Sequence, residues 1–152
     1  MDISSDNGSE RAGNDGSKRA MITGAGGLLG RFMASELVAQ GWTVVALTHQ
    51  DLDISNEGQV KESITTSGPT LVINCAATTD VDRCEREPEW AFAVNETGPG
   101  LLAQHCKESG AELVHISTDY VFDGTKEGLY TQKDTPNPLS IYAESKLAGE
   151  VA

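Results

Sequence analysis

Residues 19–30 read Arg-Ala-Met-Ile-Thr-Gly-Ala-Gly-Gly-Leu-Leu-Gly, a short apolar run that breaks into closely spaced glycines and then into helical periodicity. The run predicts a strand over residues 19–23, and the pattern after it predicts a helix over about 28–40. In that helix Leu29, Phe32, Met33, Leu37 and Val38 recur near one face and form the expected core stripe, and Gly41 closes it. A strand entering a helix through glycines lets backbone N–H groups approach a pyrophosphate, with the positive end of the helix dipole behind them. The spacing of Gly24, Gly27 and Gly30 is G-x-x-G-x-x-G, and Leu29 stands where the third glycine of the more usual G-x-G-x-x-G would fall. Taken alone, the turn is an ordinary tight connection. Between a correct strand and an amphipathic helix it points to a nicotinamide dinucleotide.

Working outward, the same alternation continues. A β-branched strand is expected over 43–47 and a weak helix over 56–66 ended by Gly68-Pro69. A third strand over 71–74 is too continuously apolar to have a wet face. A polar helix over 81–87 precedes a longer one that Pro88 opens, striped by Trp90, Val94, Thr97 and Leu101. Gly98-Pro99-Gly100 is expected to kink or split that helix. A fourth strand over 112–117, a long loop over 119–139 and a last helix opening near Ser140 complete the pattern. Alternating strands and helices predict an α/β fold, a Rossmann-type doubly wound parallel sheet in three layers, with its first strands in the order 3-2-1-4.

Residues 1–17 are Gly, Ser, Asn and Asp almost throughout and are expected to be a disordered tail, leaving 18–152 as one dinucleotide-binding domain. A formal charge of −12 argues against nucleic-acid or membrane-surface partners, which need basic patches. A phosphate-bearing cofactor must then be held by local backbone groups. Cys75, Cys84 and Cys106 lack a CxxC pair and fit a reducing cytoplasm, and no signal peptide or membrane span is legible. His49, His105 and His115 lack metal-ligand spacing, so no metal site is expected, and His115, in a strand, is read as a packed core residue. The mixed charges from Asp80 to Glu87 read as a solvated helix face.

A second constellation joins Ser117-Thr118, after the fourth strand, to Tyr142 and Lys146, one helical turn apart on one face. Reducing a ketone needs a proton donor beside the oxygen that becomes an alkoxide. A free tyrosine titrates near about 10, and a lysine one turn away stabilises its phenolate while a hydroxyl holds the carbonyl oxygen. At the end of the second strand, where acidic or basic side chains select between NAD and NADP, Thr48 and His49 supply neither. Arg31, just past the last glycine, is a candidate for a 2′-phosphate or equally an exposed helix residue, and the reading leans to NADPH, with NADH as the alternative. Asp51 and Asp53 follow as candidate adenine contacts or as turn formers.

Residues 23–30, 72–82, 87–95, 117–124 and 142–150, with the Ser117-Thr-Asp-Tyr-Val-Phe-Asp-Gly124 block as the specific part, together resemble the dTDP-4-dehydrorhamnose reductase family of extended short-chain dehydrogenases. The resemblance implies NAD(P)H-dependent reduction of the C4 ketone of a dTDP-6-deoxy-hexulose on the way to dTDP-L-rhamnose. By it, Thr118 binds the substrate oxygen, Tyr142 donates the proton, and Lys146 tunes the tyrosine and holds the nicotinamide ribose. Gly24, Gly27, Leu28, Leu29 and Gly30 match the pyrophosphate turn, Asp53-Ile54 the adenine pocket, Ala76-Ala77-Thr78 the strip beneath the cofactor, and Asp119 a position near the substrate. Cys75 stands where the family usually has a small residue such as alanine. The implied partner is the nucleotide-sugar, and a homodimer is open for the full-length form. The chain ends six residues after Lys146, so the expectation is an incomplete cofactor domain without its substrate domain, nearly inactive alone. Two further readings share the motifs: a non-catalytic NADP-binding partner like the beta subunit of methionine adenosyltransferase, and a nucleotide-sugar epimerase or dehydratase.

Overall fold

A computed structural model of the chain describes residues 18–152, and the tail expected over 1–17 lies outside them. Four strands, β1 (Arg19–Thr23), β2 (Thr43–Leu47), β3 (Leu71–Asn74) and β4 (Glu112–His115), form one parallel sheet. The helices are α1 (Leu28–Ala39), α2 (Glu57–Ser67), α3 (Val81–Arg86), α4 (Pro88–Phe92), α5 (Gly98–Ser109) and α6 (Ile141–Val151). The α/β, parallel-sheet expectation therefore holds.

The strand order does not follow the expectation of 3-2-1-4. It is β2-β1-β3-β4, so β3 adds beside β1 on the side away from β2. The crossover direction reverses one strand earlier than expected. The cause is visible in burial: β3 is covered on both faces, as an interior strand must be, whereas β2 alternates between half-buried and exposed residues, as an edge strand does.

That reversal places α1 on one face of the sheet and α2 with α5 on the other. Met21 and Val72 point to the second face and pack with Val60, Ile64, Leu102 and Cys106. Ala20, Ile22 and Ile73 point to the first and meet Leu37. The stripe expected on α1 is correspondingly narrower. Leu37 is buried and Met33 packs beside it, but Phe32 and Val38 are 69 % and 60 % exposed and Leu29 42 %. Among the described residues α1 is the helix packed on that face, so its outer flanks meet no second helix.

The break expected at Gly98-Pro99-Gly100 takes another form. Residues Ala93–Thr97 make a π-helical turn between α4 and α5, and Pro99 sits in the first turn of α5. The wider turn absorbs the missing proline N–H without ending the helix. It also sets Asn95 facing inward, fully buried.

The segment from Asp119 to Leu139 is ordered by two carboxylates. Asp123 accepts bonds from the Thr125 N–H, the Thr125 and Tyr130 hydroxyls and the Asn137 amide. Asp134 accepts from Lys126 Nζ at 2.7 Å and from the Thr131 N–H, and Phe122 stacks on Tyr130 with ring centroids 4.4 Å apart. These bonds hold Asp123 well below the usual carboxylate range and Asp134 down to about 2. Depressed carboxyls stabilise the folded loop above their unfolded value of about 4, and that stabilisation is lost as pH falls through the folded values. The Thr131 amide is expected to keep its bonded NMR shift until the pH falls through about 2, and the Thr125 amide to keep its own to lower pH still, while the sheet amides hold theirs. Loss of either bonded shift already near about pH 4 would contradict the assignment.

Candidate active site

At the carboxyl ends of β1 and β3 the chain opens into a cleft of about 480 Å³, where Gly24, Gly27, Asp53, Ile54, Ala76, Ala77 and Thr78 all meet. This is where ligands bind in open parallel sheets, at the point where the strand order reverses. Gly24 has φ +65°, and a Cβ there would lie 2.6 Å from the Ala76 nitrogen, so the glycine turn and the strip after β3 touch through backbone. A Cβ on Gly30 would strike the Gly24 carbonyl. Gly30 thus does the close-packing work that Leu29 cannot, which accounts for the shifted spacing.

The N-terminus of α1 fits a phosphate. Its cap, Gly27, contributes no side-chain bond to the helix N–H groups, and the first turn carries no acidic residue. The first-turn amides of Leu28, Leu29 and Gly30 consequently lack the capping partner that Asn56 gives α2 and Ser140 gives α6. Leu28 and Leu29 are exposed, and neither they nor Gly30 are among the residues lining the cleft. Arg31 is exposed on the same helix, its Nε donating to the Gly27 carbonyl at 3.3 Å.

The two aspartates after β2 separate. Asp51 accepts from the Thr48 N–H and hydroxyl and closes a turn, whereas Asp53 faces the cleft with Oδ1 accepting from Ser55. Trp90, Val94 and Leu52 also line the cleft. Sequence reasoning assigned Trp90 and Val94 to an apolar stripe, and the stripe is real; its outer end forms the wall of the cleft instead of closing against another helix.

Tyr142 and Lys146 are both buried on α6, and each reaches the segment leaving β4. Lys146 Nζ donates to the Ile116 carbonyl at 2.7 Å, and the Tyr142 ring meets Tyr120 edge-on at 5.8 Å. Thr118 is half-buried between these contacts, its hydroxyl accepting from the Tyr120 N–H. Asp119 and Tyr120 line a second hollow with Phe122 and Ser140. Ser117, paired with Thr118 in the sequence, is instead bonded to Glu150. Burial pushes the Lys146 ammonium below its ordinary range, with Glu150 opposing.

The helix bearing Tyr142 and Lys146 is fastened to the cleft through Asn95. Its side chain accepts from the Thr78 N–H at 2.9 Å and donates to the Thr78 carbonyl at 3.1 Å and to Ser145 Oγ at 3.0 Å. Gly149 lets α6 approach, since a Cβ there would collide with the Asn95 carbonyl. Neither Asn95 nor Ser145 stood out in the sequence as a site residue.

Other candidates take structural roles. Burial raises the Cys106 thiol to about 11, and it raises Cys84 and Cys75 as well, so none is an activated thiolate. Among the described residues no group of His, Cys, Asp or Glu is arranged to hold a metal, and no helix is long and apolar enough to cross a membrane. Asp80 caps α3, and Arg83 pairs with Glu87 at the surface while lying over Trp90.

Comparison with known proteins agrees with this geometry. A dTDP-4-dehydrorhamnose reductase of Mycolicibacterium smegmatis is 48 % identical over 136 residues, covering 89 % of this chain and 41 % of the relative. The probable low-salt glycan biosynthesis reductase Agl14 of Haloferax volcanii is 45 % identical over 88 % of this chain and 48 % of its own length. A crystal structure of dTDP-4-dehydrorhamnose reductase from Bacillus anthracis in complex with NADP superposes with a TM-score of 0.85 at 38 % identity, covering 89 % of this chain and 48 % of that one. The chain spans a little under half the length of these relatives. Residues 18–152, from the first strand through the helix of Tyr142 and Lys146, match the family described as RmlD substrate binding domain, and the chain belongs to that family.

Proposed function

We propose that residues 18–152 form the nucleotide-binding domain of an NADPH-dependent dTDP-4-dehydrorhamnose reductase, acting on the C4 ketone of dTDP-4-dehydro-6-deoxy-L-mannose. The observation that carries this reading is the meeting of the uncapped α1 N-terminus, Asp53-Ile54 and Ala76-Ala77-Thr78 in one cleft, beside a helix that presents Tyr142 and Lys146.

In this reading the pyrophosphate rests on the amides of Gly27, Leu28, Leu29 and Gly30, and Gly24 lets the turn sit against Ala76. Asp53 and Ile54 take the adenine end, and Ala76, Ala77 and Thr78 lie beneath the cofactor. When bound, NADPH supplies the hydride. Thr118 donates a hydrogen bond to the ketone oxygen, Tyr142 delivers a proton to that oxygen as it becomes a hydroxyl, and Lys146 stabilises the phenolate left behind. Asp119 stands close to the sugar. The remaining contacts to the nucleotide-sugar belong to the part of the relatives' length that this chain does not span, with the full-length form working in the cytoplasm and its assembly as a homodimer left open.

The test is a chimera joining residues 1–152 to the C-terminal portion of the M. smegmatis relative, assayed by loss of NADPH absorbance with the dehydro sugar. Turnover is expected, with Tyr142→Phe lowering it by about 10²–10⁴-fold at unchanged NADPH affinity. A folded chimera that binds NADPH and leaves the ketone unreduced would overturn the reading.

A further inference from the structure

Lys146 touches an imidazole whose proton position is dictated from the centre of the sheet. Asn74 Oδ1 accepts from the Ala76 backbone N–H at 3.1 Å and from the Thr23 hydroxyl. An amide N–H can only donate, so this contact fixes which end of the Asn74 amide is oxygen. The other end, Nδ2, must therefore donate to His115 Nδ1, 3.0 Å away. With Nδ1 accepting, a neutral His115 carries its proton on Nε2. That nitrogen faces Lys146 Nζ at 3.4 Å. Two donors then confront each other whenever the lysine is protonated, and the ammonium has the Ile116 carbonyl as its bonded acceptor. A neutral amine, by contrast, offers a lone pair to the Nε2–H.

We propose that His115 is a positioning residue for Lys146: Asn74 locks its imidazole as the Nε2–H tautomer, and that N–H disfavours the ammonium until acceptors from a bound ligand draw the lysine away. The inference rests on the cofactor reading only for the identity of those acceptors, the hydroxyls of the nicotinamide ribose. The surrounding charges are few. Glu150, one turn along α6, favours the ammonium and is itself bonded to Ser117. Glu85 of α3 is engaged by the Ile141 N–H at the start of α6. Tyr142 lies one turn back on the same helix. Burial and the neighbouring lysine hold His115 down to about 4, so the neutral ring is the form present near neutrality.

The experiment is long-range ¹H–¹⁵N NMR of the histidine rings in the 152-residue chain, with a ¹³C titration of the lysine side chains. For wild type, His115 is expected to show Nε2 protonated and Nδ1 unprotonated through neutral pH. Asn74→Asp places a carboxylate opposite Nδ1, so the proton moves to Nδ1, Nε2 becomes an acceptor, and the Lys146 midpoint rises. His115→Phe removes the opposing N–H and also raises it. A merely structural role for His115 would lower stability in both variants without moving the tautomer or raising the lysine midpoint. An Nδ1–H tautomer in wild type overturns the proposal even if neither variant folds. Adding NADPH to the same sample separates the two ideas: an Nε2–H ring in a chain that does not bind NADPH retains this inference and sinks the cofactor reading, and binding with an Nδ1–H ring does the reverse.

Discussion

Gly24→Ala is expected to destabilise the domain by about 3 kcal/mol or more and to abolish NADPH binding. Two costs act together. A φ of +65° is strained for any L side chain, and the new methyl would lie 2.6–2.7 Å from backbone atoms of Cys75 and Ala76. Neither neighbour is a flexible side-chain tip, so relief requires β1 and β3 to shift apart at their carboxyl ends. That movement would widen the cleft at the floor on which the cofactor is proposed to lie. Urea denaturation and quenching of NADPH fluorescence read the two effects separately. Gly26→Ala is the control, because a Cβ there finds the Thr48 methyl at an ordinary 3.7 Å, and the fold should tolerate it. A Gly24→Ala chain with wild-type stability would refute the close approach.

Asn95→Leu is expected to cost about 3–5 kcal/mol, since it leaves the Thr78 N–H, the Thr78 carbonyl and the Ser145 hydroxyl short of partners in the interior. Asn95→Asp is the sharper variant. The carboxylate still accepts from the Thr78 N–H, but it cannot donate to the carbonyl or to Ser145, and it buries a charge in the interior. Near neutral pH it should be no more stable than the leucine variant, and it should recover stability as the pH is lowered and the carboxyl protonates. Thermal unfolding against pH distinguishes the two. An aspartate variant as stable as wild type at neutral pH would show that the donor half of the amide is dispensable.

Much of this arrangement was legible in the sequence. The strand over 71–74 declared itself because continuous apolar character needs two covered faces. The caps at Asn56 and Ser140 follow from ordinary helix-start chemistry. The glycine turn and the Tyr142–Lys146 pair were visible because each is a local spacing. What escaped was whatever depends on the number of layers and on partners distant in the chain. The periodicity of α1 could not reveal that one helix alone would cover its face, so Phe32 and Val38 were read as core. Strand order is set by the hand and direction of crossovers, to which no single strand testifies. Asn95 looked like one polar residue in a helix, and only the π-helical turn aims it at Thr78, 17 residues back, and Ser145, 50 residues on. His115 was read as a packed core residue, but it ends β4 only partly buried, and its tautomer depends on a three-residue relay across three strands.

The order β2-β1-β3-β4 bears on how the chain reaches this state. Among the described residues the strand made first is an interior one, and it must find a partner on each side. β2 arrives after one short helix, whereas Asn74, which ties β3 to Thr23, lies 51 residues downstream. During synthesis one edge of β1 therefore remains unpaired until β3 emerges, a long-range closure of the kind that slows folding and exposes strand edges to other chains. Fast translation, or a chaperone acting between residues 47 and 71, would protect that edge, and the yield of soluble protein would depend on the rate at which this interval is read.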